Sequence, residues 1–177
     1  WEGRRRAFFT AELINALQIL DKGYIELDRM KGSWAGAMGQ PQFMPSSYIG
    51  YAEDYDGDGR RDIWRSVPDV FASIANYLKG HGWLPGERWG REVRVSKDVA
   101  ARIAGIATRQ SGSCAAARQM SEWLPLSRWQ ELGVRLTGGG ALPKAERDAS
   151  LVVAGRRSFL VYANYDALLA YNCAHAY

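Results

Sequence analysis

Asp54, Asp56, Asp58 and Asp62 stand within nine residues, with Gly57 and Gly59 between them. No other feature constrains the chain as strongly. Four carboxylates this close repel one another, with only Arg60 and Arg61 to offset them, so the segment reads as a loop. Counted from Asp54, carboxylates occupy positions 1, 3, 5 and 9, and glycine occupies position 6. That is the pattern of a calcium loop of EF-hand type. Calcium takes six to eight oxygens, and alternate residues of a tight loop can all point inward. Arg60, at position 7, would offer its backbone carbonyl. Arg65 stands at position 12, where a bidentate Glu is usual. Asp69, farther on, either supplies the missing oxygen or caps the next helix. The bland alternative for the whole stretch is an Asp-Gly turn with solvated acids.

The rest of the chain is ordinary globular material. It has 177 residues, 47% hydrophobic and 24% charged, which suits one domain with a small subdomain. No run of ~18 apolar residues exists to span a membrane. Seven Trp and nine Tyr favour a sugar-binding surface, because flat rings stack on sugars and their polar edges hydrogen-bond. The net charge of +4 is small and its basic residues are scattered, which argues against nucleic acid. Cys114 and Cys173 lie in no CxxC pair, which excludes a zinc cage. They are either one disulfide or two unrelated thiols. The chain opens at Trp1 without an initiator Met, and is expected to start partway through a longer protein.

Helical spacing over 4–20 puts Phe9, Leu13, Leu17 and Leu20 on one face. A short helix is predicted at 25–30, and Ser33 is placed to cap another within 32–39. Pro41 and Pro45 interrupt, and 46–52 can form a further turn or two. A helix over 67–79 should bury Phe71, Ile74, Ala75 and Leu78. Beyond Trp83 the pattern changes. Strands are predicted at 91–95, 132–136, 150–154 and 158–162, with helices at 98–107 and 127–132. The chain turns helical again from Asn164. The expected organisation is a helical core with the acidic loop at 1–84, a small mixed subdomain at 85–163, and a return to the core at 164–177.

The stretch 32–48 packs small residues against Met38, Met44, Gln40, Gln42, Trp34, Phe43 and Tyr48. Its composition fits a tight packing seam and a cleft floor equally well. The order and spacing of this stretch, the acidic loop, Asp62-Ile63-Trp64, Ala75-Asn76-Tyr77 and His81-Gly82-Trp83 resemble the membrane-bound lytic murein transglycosylase B family. The resemblance implies an α+β, mainly helical fold, with a lysozyme-like helical domain and a small mixed α/β subdomain. It implies a periplasmic lyase that cuts the MurNAc–GlcNAc bond of peptidoglycan and leaves a 1,6-anhydro-MurNAc end. It also implies structural Ca2+ on Asp54, Asp56, Asp58, Arg60, Asp62 and Asp69. The glycan-binding positions it carries over are Ser33, Met38, Gln42, Phe43, Tyr77, Tyr171 and Asn172. Core packing is the competing role for Met38, Phe43 and Tyr77.

In that family a single Glu is acid, then base. Glu2, Glu12, Glu26 and Glu53 match no catalytic position, so no catalytic residue is assigned here and the Glu is expected upstream of Trp1. His81 and His175 are expected to be structural or solvated. The implied partner is the peptidoglycan glycan strand, the implied state a monomer, and any membrane anchor would lie outside this chain. The alternative function is a calcium-stabilised peptidoglycan-binding module without catalysis. A calcium-regulated interaction protein is disfavoured by the single loop and the missing Glu at position 12.

Overall fold

A computed structural model describes residues 3, 5–109 and 114–173. The chain divides into two compact units, Trp1–Gly80 and His81–Tyr177.

The first unit holds α1 (Arg6–Asp21), α2 (Pro45–Tyr51) and α3 (Val67–Gly80). The inward face of α1 differs from expectation. Glu12 and Ile19 are buried, while Leu13 and Leu17 are 51% and 56% exposed. Apolar residues surround this helix, so their spacing does not single out the packed side. A polar contact decides it. Ser46, in the first turn of α2, donates its backbone N–H and its hydroxyl to the two Glu12 oxygens, at 2.8 and 2.6 Å.

The stripe of α3 is likewise offset by one residue. Val70, Ser73 and Tyr77 are buried with Asp69, whereas Phe71 is 68% exposed. Hydrogen bonds set that rotation. The Ser73 hydroxyl accepts from the Glu53 backbone N–H at 3.0 Å, and Asp69 accepts two backbone N–H groups of the acidic loop. Asp69 lies in the first turn of α3 and Ser73 follows one turn later, so both polar side chains face inward.

No helix forms at 25–30 or 32–39. The chain there runs through turns, with isolated bridges from Met38 to Gly32 and to Phe43. Ser33 does not cap a helix; its hydroxyl accepts the Ala37 N–H at 3.2 Å within this loop. Two glycines are required by close approach. A side chain at Gly32 would meet the Ala37 carbonyl oxygen at 2.5 Å. At Gly39, whose φ is +64°, it would meet Ile63 at 2.7 Å. Both limits reflect tight packing in the seam.

The second unit is built on a sheet with the order β2-β4-β5-β1-β3, every neighbouring pair antiparallel. Its strands are β1 (Gly90–Arg94), β2 (Leu124–Pro125), β3 (Arg135–Leu136), β4 (Asp148–Ala154) and β5 (Arg157–Val161). The helices are α4 (Lys97–Ile103), α5 (Leu126–Leu132) and α6 (Ala163–Tyr171). Helices and a five-stranded sheet mix in this unit as expected, and with that sheet "mainly helical" does not describe the chain.

One core gathers Val93, Leu126, Trp129, Val134, Leu151 and Leu160. The Trp129 indole N–H donates to the Ala149 carbonyl at 3.0 Å, which satisfies a fully buried polar group. The second core gathers Met120, Val152, Val161, Tyr165 and Leu169. Successive strand residues point to opposite faces, so Leu151 and Val152 feed different cores. Residues 149–152 of β4 are therefore buried without a break rather than alternately.

One expectation changes here: α6 does not return to the first unit as expected of 164–177, but belongs to the second, where Tyr165 and Leu169 pack in the core. Cys114 and Cys173 form a disulfide, with Cα atoms 5.5 Å apart across 59 residues of sequence.

Candidate functional site

The acidic loop is organised by its own backbone. Asp54 accepts N–H groups from Gly57, Asp58 and Gly59 at 2.7 to 3.1 Å. Asp58 accepts from the Arg60 N–H at 2.8 Å, and Asp62 from Trp64 and Arg65 at 2.9 Å. Asp69 is 0% exposed. Its two oxygens accept from Tyr55 and Asp62, at 2.8 and 2.9 Å, and so pin both arms of the loop to α3. Ser66 donates its hydroxyl to Asp56 at 2.7 Å.

Carboxylate oxygens of Asp54, Asp56 and Asp69 lie within 4.8 Å of one another. Asp58 and Asp62 fall outside that group, their carboxylates turned to local backbone. Asp69, the residue whose role was open, is thus inside it. Three carboxylates this close, one of them buried, repel one another, and a cation among them would offset that repulsion beyond what the N–H and O–H donors do. An all-oxygen donor set suits a hard ion such as calcium.

The 32–48 stretch carries the second group of residues. A cleft of about 820 Å³ is lined by Phe9, Glu12, Ser33, Trp34, Met38 and Pro45, among others. Ser33 and Met38 were expected there. Trp34 and Glu12 were not assigned a role. Trp34, which also lines the cleft, is 99% exposed, and a solvent-exposed indole offers a flat face on which a ring can stack. Its place in the glycine-rich motif was the available signal. Glu12 had no sequence signal, since its partner Ser46 lies 34 residues away.

Gln42 is exposed and has φ +53°, the one positive φ outside glycine among the described residues. Its amide donates to the Gly39 carbonyl at 2.8 Å. A left-handed conformation costs a non-glycine residue about 1–2 kcal/mol, and such strain gathers at functional sites.

Phe43 and Tyr77 are both buried, with ring centroids 5.4 Å apart, and Tyr51 packs on Tyr77 at 4.9 Å. Phe43, Tyr77 and Gln42 are not among the residues that line the cleft. Burial, then the neighbouring Tyr51, raises the Tyr77 phenol above its ordinary pKa. The Tyr48 phenol is likewise raised, chiefly by burial, and its hydroxyl donates to the Arg61 carbonyl at 3.0 Å. A buried neutral phenol thereby ties α2 to the acidic loop. Tyr171 and Asn172 lie in the second unit, at the C-terminal end of α6. His81 is half-buried there, while Glu2 and His175 lie outside the described residues.

A family model for the transglycosylase SLT domain matches residues 1–177. The chain belongs to this family. It is 38% identical over 128 residues to membrane-bound lytic murein transglycosylase B of Escherichia coli K12, spanning 72% of this chain and 35% of that protein. SltB3 from Pseudomonas aeruginosa, solved with NAG-anhNAM-pentapeptide, matches at a TM-score of 0.81 and 43% identity. That match covers 98% of this chain and 44% of SltB3. Escherichia coli Slt35, solved with calcium, matches at 0.72 and 28% identity, over 97% of this chain and 50% of Slt35. The chain thus spans half or less of these relatives. Its architecture is the lysozyme-like lytic transglycosylase fold, with helices and a curled antiparallel sheet. No helix among the described residues is long and apolar enough to cross a membrane.

Proposed function

We propose that this chain is the glycan-handling part of a lytic transglycosylase that cuts the MurNAc–GlcNAc bond and leaves a 1,6-anhydro-MurNAc end. One observation carries the reading: in a chain of this family, the 32–48 stretch and α1 build an open cleft with Ser33, Trp34 and Met38 in its lining, while Gln42, strained and exposed, lies in the same stretch outside that lining. Trp34 offers a stacking face, Ser33 a hydroxyl and Met38 an apolar wall. Gln42 presents an amide that can hydrogen-bond sugar. SltB3 was solved in complex with NAG-anhNAM-pentapeptide, which supports the same chemistry here.

The reaction needs a carboxylic acid to protonate the leaving oxygen. The resulting carboxylate then takes a proton from the sugar's 6-hydroxyl as that oxygen closes the anhydro ring. Glu12 is the buried glutamate in the cleft wall, but both its oxygens already accept from Ser46. It serves as an acceptor that holds α2 in place. The acid in this reading is a Glu upstream of Trp1.

Asp54, Asp56 and Asp69 are the residues that would hold calcium, with Asp58, the Arg60 carbonyl and Asp62 as further ligands by resemblance. Bound calcium would neutralise the carboxylates and fix the loop. The loop in turn braces α2 through Tyr48 and Arg61, and α3 through Asp69. The periplasm is the compartment implied by this substrate and by the disulfide. The chain would act there as a monomer, with any anchor outside it.

Two experiments follow. Calcium at a hundred times its dissociation constant should add ~2.7 kcal/mol, raising Tm by roughly 5–10 °C over chelator. Asp56→Ala should remove that difference, and equal melting temperatures for the wild type would refute the metal. Separately, the chain should co-sediment with purified sacculi. Trp34→Ala should weaken this several-fold, and an unchanged bound fraction would count against the cleft.

A further inference from the structure

The second unit has a hollow that the cleft does not account for. Its volume is about 460 Å³, within the ~300–1,000 Å³ typical of small-ligand sites. Trp123, Arg147, Asp148, Glu146 and Arg88 line it.

Its walls are held rigidly. Asn164 is buried and fastens the 84–87 segment, accepting from the Leu84 N–H at 2.7 Å and donating to the Leu84 and Glu87 carbonyls at 3.0 and 2.8 Å. Arg109 lies over the Trp123 ring, 4.9 Å from its centroid, and is itself held by a bidentate pair with Asp166 at 2.8 Å. Trp123 therefore lines the hollow as a half-buried indole backed by a fixed guanidinium. Arg147, also in the lining, sits 5.0 Å over the buried Tyr162 ring and pairs with Glu87.

The chemistry of the rim narrows the ligand. Arg147 is engaged by Glu87, and the exposed rim offers carboxylates at Glu146 and Asp148 against one guanidinium at Arg88. An anion would face two like charges. A neutral polyhydroxylated ring needs a flat aromatic face and planar polar groups that donate and accept around its edge. Trp123, Asp148, Glu146 and Arg88 supply both. We propose that this hollow binds an N-acetylated sugar of the peptidoglycan strand, stacked on Trp123, so that the second unit grips glycan in its own right. The inference rests on the peptidoglycan reading above and deepens it.

The test is titration of the ¹⁵N-labelled chain with tetra-N-acetylchitotetraose, following the indole N–H signals of Trp34 in the first unit and Trp123 in the second. Trp34→Phe and Trp123→Phe assign the two signals. Both signals should move. Arg88→Ala with Asp148→Ala, changes confined to exposed side chains, should weaken the Trp123 titration by about five-fold or more, the worth of one hydrogen bond, and leave that of Trp34 unchanged. A Trp123 signal that stays still while Trp34 saturates would overturn the inference and leave the cleft standing. So would a Trp123 titration indifferent to the two rim substitutions. If neither signal moves, the peptidoglycan reading fails and this inference with it.

Discussion

Replacing Cys114 and Cys173 together with serine should cost about 4 kcal/mol of stability. The bridge closes 59 residues of sequence, and holding the ends of a loop that long together removes a large share of unfolded-chain entropy. The bond ties the segment carrying Ala116, Ala117 and Met120 to the chain just beyond α6. Those residues pack with Val152, Val161, Tyr165 and Leu169, so its loss should loosen the second core before the first. Tm should fall by roughly 10 °C. Reduction of the wild type should reproduce the loss, while the same reductant leaves the double variant unchanged. A difference below ~1 kcal/mol between oxidised wild type and variant would mean that packing alone holds the segment.

Much of the candidate site could be read from residues because its chemistry is local. Carboxylates at alternate positions in a glycine-rich loop need no distant partner to be recognised, and Asp54 and Asp56 converge as that pattern implies. Asp69 was undecided because its role depends on two backbone N–H groups, seven and fourteen residues away. Other features were hidden for the same reason. Glu12 looks like any helix residue until α2 brings Ser46 to it. The disulfide had no local signature.

The helix faces were misjudged for a different reason. Spacing rules assume that apolar side chains face inward and polar ones outward. On α3 the inward positions include Asp69 and Ser73, which earn their burial by bonding loop backbone, and the apolar Phe71 is left outside. The helices expected at 25–30 and 32–39 gave way to turns and bridges. Within 32–39, the close approach of Gly32 to Ala37 and of Gly39 to Ile63 dictates the path more than side-chain spacing does.

The second large effect concerns catalysis. On the proposed reading, the described cleft can bind and orient sugar, but its one buried glutamate is committed to Ser46. Without a positioned acid, the leaving oxygen departs unprotonated, and loss of general acid catalysis alone costs ~10²–10⁴ in rate. Trp34, Ser33 and Gln42 cannot replace the proton, because none carries an acid of suitable strength. Glu12→Gln should therefore leave the chain's activity at background, while destabilising the α1–α2 contact by about 1–3 kcal/mol through the weakened bonds to Ser46. The direct measurement is digestion of purified sacculi, with soluble products identified by mass spectrometry. The chain of 177 residues and SltB3, of which it spans 44%, would be compared at equal concentration. The account predicts 1,6-anhydro-muropeptides from SltB3 and none above background from the chain. Anhydro-muropeptides released by the chain at a comparable rate, and abolished by Glu12→Gln, would contradict it and make Glu12 the acid.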